Sequence, residues 1–502
     1  MIPLSLTSFF LASFCTLIIR QSLGETENCS LPPRGWNSYN SYSWIISEKK
    51  FIQNAQIVAQ RLKIHGYEYA VVDFLWYRRK VKGASVDSSG FDVIDKWGRL
   101  VPDPHRWPSS KHGNGFTKVA EKVHNMGLKF GIHVMRGIST QAFNANTPIL
   151  DVTTGKAYEE NGRIWYAKDI GLKERPCAWM KTGFMSVNTK LGAGRAFLSS
   201  LYQQYADWGV DFVKHDCVFG MDMDLDEITY VSKVLGGFNQ TILYSLSPGS
   251  GATPAMASAV SGLANMYRIT GDDWDKWPDL ITHFNVTRDF ASANMIGGEG
   301  LRGKSWPDLD MLPLGRLSKA GANKGPYRKC NLTLDEQKIQ VTLWSIAKSP
   351  IMFGGDMIKL DDTTFKLITN PTLLEINTYS SNNMQFRYIS SNQSAWNITK
   401  PLAEKDAQTN GPDGPHLIRA WIATGRRGEI YVAIFNLNRH KSEVSMRIKD
   451  LEKAIPGKDF GSASCKCREE WSGKDYGVIK HSISTQIDIH GVALFVLNCT
   501  FS

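Results

Sequence analysis

Several things are missing from this sequence, and each absence narrows the reading. No block of five or six like charges occurs, so there is no basic or acidic arm of the kind that grips nucleic acid. No apolar run reaches the ~20 residues of a membrane-spanning helix outside the extreme N-terminus. No CxxC pair or His/Cys cluster has zinc spacing, and Cys465 with Cys467 alone is weak grounds for a metal. Internal repeats and low-complexity segments are also absent, which removes solenoids and propellers.

What is present is a chain of 502 residues, 42% apolar and 21% charged, enough to bury sizeable cores. The formal charge is +10, which favours polyanions such as nucleic acid or acidic wall polysaccharide. Residues Ile2–Ile19 form a short apolar stretch, followed by Arg20 and the small residues Ser22 and Gly24. This reads as a signal peptide over residues 1–24; left uncleaved, it would be an anchor. Seven sequons (Asn28, Asn239, Asn285, Asn331, Asn392, Asn397 and Asn498) fit a glycosylated, secreted protein. Of eight cysteines, Cys15 leaves with the signal. In an oxidising compartment the remaining seven should mostly pair, leaving one free.

From Pro33 to Leu374 short β-rich runs alternate with helical patterns. The runs include 68–74, 129–134, 210–216, 241–247 and 266–270. Helical stripes occupy 51–62, 115–126 and 196–208. About 340 residues of this alternation predict a (β/α)₈ barrel. After Tyr379 strand-like runs (429–436, 484–489, 491–497) are separated by turn residues, which predicts an antiparallel β-sandwich. The expected division is therefore a signal peptide at 1–24, a barrel at 25–380 and a β-domain at 381–502.

Residues 298–305 read GEGLRGKS and satisfy the P-loop pattern. The following Trp306-Pro307 argues against a helix opening there, so the expectation is a glycine-rich barrel loop whose Lys304 lies near the pocket. The carboxylates are more informative. Val213–Asp216 (VKHD) ends the fourth strand, and strand alternation places Lys214 and Asp216 on one side and His215 on the other. Arg268–Asp272 (RITGD) closes the sixth strand and brings a second carboxylate to the mouth. Such a pair suits glycoside hydrolysis; read from pattern alone, either aspartate also fits a helix N-cap.

The sequence resembles glycoside hydrolase family 27, the α-galactosidases or melibiases, over about Pro32 to Leu497. The motifs are Arg34–Tyr39 (RGWNSY), His65–Asp73 (HGYEYAVVD), Gly98–Pro104 (GRLVPDP), Gly127–Ile132 (GLKFGI), VKHD, RITGD, Trp306–Leu312 (WPDLDML), Leu343–Ile351 (LWSIAKSPI) and His490–Leu494 (HGVAL). The resemblance implies a barrel plus an antiparallel β-domain, a carbohydrate substrate, and no metal, organic cofactor, nucleotide or nucleic acid. It implies Asp216 as nucleophile and Asp272 as acid/base. Arg268 would hold the sugar and Asp272, Trp36 would be the aromatic platform, and Asp73 and Lys214 would bind hydroxyls. Asp310 would lie near the pocket or serve structure alone.

Four departures stand out against that family. Phe74 replaces the second of two successive aspartates, His133 replaces a strand-three tyrosine, and His215 replaces the tyrosine before the nucleophile. Ser247 falls where the family often has a Cys-Glu-Trp or Cys-Ser-Trp run. Phe74, His133 and Ser247 are expected in the sugar pocket. In these respects the chain most resembles a plant branch associated with β-L-arabinopyranosidase activity. The family disulfide does not carry over to Cys217, and Cys177–Cys217 is the expected replacement.

Overall fold

The computed structural model describes residues 30–297, 305–391 and 417–501. The signal segment, the Gly298–Lys304 loop, Cys29 and the sequons at Asn28, Asn392 and Asn397 lie outside these residues.

Eight parallel strands form one sheet: β1 (Arg34–Asn37), β2 (Tyr69–Val72), β3 (Lys129–Met135), β4 (Phe212–Phe219), β5 (Leu243–Pro248), β6 (Met266–Arg268), β7 (Trp306–Asp308) and β8 (Ile351–Phe353). Their order is β7-β6-β5-β4-β3-β2-β1-β8, and a parallel bridge between Leu312 and Phe353 joins the two ends into a barrel. Helices between the strands include α1 (Glu48–Ile57), α2 (Thr117–Asn125), α3 (Gly192–Asp207), α4 (Leu225–Gly236), α5 (Trp277–Ser292) and α6 (Leu334–Ile346).

Strand alternation builds the interior in layers. Tyr69, Val71, Phe212, Leu243, Met266, Trp306 and Met352 pack together as its lower plug. Gly131 makes room for this layer, because a Cβ there would meet Phe212 and Val71 at 2.9 Å. Two residues further along the same strands come the polar groups Asp73, His133, Lys214 and Arg268. The sequence thus switches from apolar to charged at the C-terminal strand ends.

The segment between β3 and β4 is unusually long. It contains a small antiparallel sheet of Ile138–Ser139, Phe184–Val187 and Gly171–Pro176, and two short hairpins. Cys177 at its rim is bonded to Cys217 on β4, as expected.

The C-terminal domain pairs a six-stranded antiparallel sheet with a three-stranded one. Its strand β9 (Ile430–Asn436) is apolar almost throughout because both faces are buried. Ile430, Val432 and Ile434 face the sandwich core, whereas Tyr431, Ala433 and Phe435 face the barrel, where Phe435 meets Phe284 of α5 at 5.0 Å.

The cysteine expectation needs correction. Besides Cys177–Cys217, Cys465 bonds Cys499 directly across the strands, but Cys467 faces Leu497 and has no cysteine opposite. Cys330 is also unpaired, so two thiols are free among the described residues where one was expected.

Candidate active site

At the C-terminal ends of the barrel strands lies a cavity of about 510 Å³. Tyr39, Asp73, Phe74, His133, Lys214, Asp216, Arg268, Asp272 and Met311 are among its lining residues. Six of the ten residues expected in or near it line it: Asp73, His133, Lys214, Asp216, Arg268 and Asp272. Phe74 joins them, its ring edge-on to Tyr39 at 5.2 Å and to His133 at 6.1 Å. A second concavity of about 530 Å³ opens near Arg34 and His65 at the opposite end. There Arg34 ties the strand start to Asn377 and the Leu374 carbonyl, which is a structural job.

Asp216 is the most constrained carboxylate. His133 Nε2 lies 2.9 Å from its Oδ2, and the Cys217 amide donates to its Oδ1 at 2.5 Å. Burial alone would raise its pKa. The His133 hydrogen bond and the positive fields of His133, Lys214 and Arg268 win, holding it well below the usual carboxylate range. It is an ionised carboxylate whose two oxygens are fixed by hydrogen bonds, the form that nucleophilic attack requires. Cys217 adopts φ of 63°, the left-handed region, next to Asp216 and within the disulfide to Cys177. His215 points the other way, as alternation requires, towards Tyr202, Tyr244 and Glu227.

Asp73 accepts from Asn37 Nδ2 at 2.8 Å and from Lys214 Nζ at 3.3 Å. Burial opposes ionisation of Asp73, but the Lys214 charge lowers its pKa and the pair stays charged. An ammonium with spare protons beside a fixed carboxylate suits a polyhydroxylated ligand, offering donors and acceptors together.

Arg268 spans two carboxylates. It reaches Asp272 at 2.7 Å and Asp310 at 3.3 Å, and it also donates to the Pro248 carbonyl. The Asp272 side chain is 56% exposed against 12% for Asp216. Asp272 therefore sits where a proton can be exchanged with solvent, and Asp216 where it cannot be easily quenched. Behind them Asp308 is pushed up to about 7 by burial and the Asp310 charge. Its folded pKa lies above the unfolded value of 3.8, so stability falls as pH rises between them. Asp308→Asn keeps the acceptor for the Asp310 amide. It is expected to raise stability at pH 8 by on the order of 2–4 kcal/mol and to change little below pH 4. Denaturant unfolding at both pH values checks this; an equal gain at both contradicts it.

Three expected residues stand elsewhere. Trp36 is 0% exposed, its indole donating to the Gly355 carbonyl and its ring against Phe51, so it cannot be a platform. The reason is alternation: Trp36 pairs in register with outward Ala70, while Asn37 turns inward to Asp73. Tyr39, three residues later in the same motif, takes the cavity position that Trp36 was expected to fill. Ser247 is buried outside the cavity lining, which Pro248 and Ser250 reach instead. Asp310 is buried behind Arg268 and accepts from the Asp273 amide, holding the arginine rather than lining the space. Trp179 and Met311 also line the cavity and were not foreseen. Met311 follows Asp310 within a motif already singled out, whereas Trp179 had no motif to mark it. Among the described residues no group of three or more His, Cys, Asp or Glu side chains is arranged to hold a metal ion.

Comparison with known proteins shows the family. Residues 37–159 and 196–379 match the family profile described as α-galactosidase A, and residues 416–497 match the α-galactosidase C-terminal β-sandwich domain. An α-galactosidase from Cyamopsis tetragonoloba is 22% identical over 95% of this chain and 89% of its own length. A β-L-arabinopyranosidase of glycoside hydrolase family 27 from Geobacillus stearothermophilus, solved with arabinose, is 32% identical with a TM-score of 0.77, covering 93% of this chain and 97% of that one. The α-galactosidase of Saccharomyces cerevisiae, at 17% identity and a TM-score of 0.62 over 94% and 98%, shares the fold. The chain belongs to the α-galactosidase family of glycoside hydrolases, glycoside hydrolase family 27.

Proposed function

We propose that the protein is a secreted retaining exo-glycosidase that removes terminal β-L-arabinopyranosyl groups at least as well as α-D-galactosyl groups. Asp216 attacks the anomeric carbon while Asp272 protonates the leaving oxygen. The resulting glycosyl-enzyme is hydrolysed by water that Asp272 deprotonates. The apolar leader and the exposed sequons at Asn239, Asn331 and Asn498 support secretion. The plant affiliation expected from the sequence stays with this proposal and carries none of its weight.

The observation that carries the sugar preference is Phe74. L-Arabinopyranose has the ring stereochemistry of D-galactose without the hydroxymethyl group at C6. Phe74 presents an apolar ring beside Asp73, where a second carboxylate would pair with that hydroxyl. A buried hydroxyl without a partner is penalised, so the pentose is favoured. An ordinary α-galactosidase is the second reading, supported by the activity named for the Cyamopsis tetragonoloba relative.

Side-by-side hydrolysis of nitrophenyl β-L-arabinopyranoside and nitrophenyl α-D-galactoside tests this. The expected ratio of kcat/KM is one or more in favour of the arabinoside. Phe74→Asp is expected to move the ratio towards galactose by about 1–3 kcal/mol. A wild-type galactoside preference of about a hundredfold, unmoved by Phe74→Asp, would leave an ordinary α-galactosidase.

A further inference from the structure

The cavity changes character with depth. Asp73, Asp216 and Arg268 on its floor are 4%, 9% and 4% exposed. At the rim Trp179 is 38% exposed and Met221 81%, with exposed Ala178 between the disulfide and the indole. An exposed tryptophan beside a charged floor is left where a flat apolar surface has something to meet. The volume of about 510 Å³ exceeds what one pyranose ring fills.

Trp179 is also held in place. Its loop joins the strands Gly171–Pro176 and Phe184–Val187, and Cys177 two residues before it is bonded to Cys217 beside Asp216. The Ala178 amide donates to Asp222 Oδ1 at 3.2 Å, and the indole packs against Phe74 with ring centres 6.2 Å apart. A mobile surface residue needs none of these ties. This loop falls in residues 160–195, between the two stretches that match the family profile.

We propose that Trp179 is the stacking platform of a leaving-group subsite, on which the first sugar ring beyond the scissile bond lays its apolar face. The inference rests on the glycosidase reading of the floor and adds the class of leaving group: a pyranose, held by stacking at the mouth. Asp272, exposed between floor and rim, then faces the bridging oxygen from the solvent side. Trp179 acts on binding of the leaving group and does not touch the reacting atoms.

The test compares substrates that share the cleaved sugar and differ beyond it. Trp179→Ala is assayed on a β-L-arabinopyranosyl disaccharide and on β-L-arabinopyranosyl fluoride, which has no second ring, and on the α-D-galactosyl pair. The expected result is a fall in kcat/KM of about tenfold or more on the disaccharide, mostly through KM, with the fluoride within about twofold. Trp179→Tyr should restore most of the loss. The normal fluoride rate reports an intact fold. An equal fall on disaccharide and fluoride, or no fall on the disaccharide, overturns the subsite. Failure of the glycosidase reading looks different: wild-type protein would cleave none of the four. Calorimetry then decides on its own terms. If the disaccharide binds wild type more tightly than the monosaccharide and Trp179→Ala erases the difference, the subsite stands. Equal binding of the two by wild type overturns it.

Discussion

Asp216→Asn is expected to lower kcat by roughly four orders of magnitude or more on every glycoside, with the fold kept but its stability at neutral pH reduced by loss of the ionised carboxylate. The asparagine keeps the shape and can still accept from the Cys217 amide, so the loop behind it has no reason to move. What it loses is the negative oxygen that His133, Lys214 and Arg268 stabilise together. Rates with fluoride, nitrophenyl and sugar leaving groups should fall alike, because all need the same attacking atom. Asp272→Asn should behave differently, costing least for fluoride and most for a sugar, since only a poor leaving group needs the proton. Near-normal rates in Asp216→Asn would remove the nucleophile from the account.

The second large effect is expected at Arg268. Arg268→Met leaves Asp310 buried without its cation and Asp272 without the group that aims it. Breaking a buried ion pair from one side costs about 3–5 kcal/mol. Misplacing a catalytic carboxyl should add a fall in kcat/KM of about a hundredfold or more. Arg268→Lys separates the two effects. Its ammonium restores charge, so much of the stability returns, but it cannot reach Asp272, Asp310 and the Pro248 carbonyl together, so activity stays low. The pH dependence has a definite sign. Asp216 has a depressed folded pKa, so its contribution to stability is present above its unfolded pKa and is lost as pH falls through the folded one. Removing the Arg268 charge raises that folded pKa and should move acid unfolding to higher pH. Unfolding curves from pH 2 to 7 check this; unchanged acid unfolding and a loss under 1 kcal/mol would show that the arginine is not the cation holding these carboxylates.

The alternation of strand and helix was legible because a barrel repeats one physical pattern eight times, and Lys214 and Asp216 followed from a period of two. The same period, applied to Arg34–Asn37, puts Trp36 outside and Asn37 inside. Reading the motif by residue type hid this and overlooked Tyr39. Arg268 with Asp272 was legible as spacing, but the buried hold of Asp310 on Arg268 was not, because it depends on a neighbouring strand. Cys177–Cys217 was foreseen from the shifted cysteine, whereas Cys467 looked pairable until register put Leu497 opposite it. Trp179 lies in a loop with no periodic pattern, so only the folded chain brings it to the mouth.

The central claim is that Asp216 forms a covalent bond to the sugar during turnover. Incubation with a 2-deoxy-2-fluoro glycosyl fluoride of the preferred sugar, followed by proteolysis and mass spectrometry, tests it directly. The account predicts one adduct, on the peptide containing Asp216, absent from Asp216→Asn and accompanied by loss of activity. Steady release of fluoride without an adduct, with the first sugar product of inverted anomeric configuration, would contradict it.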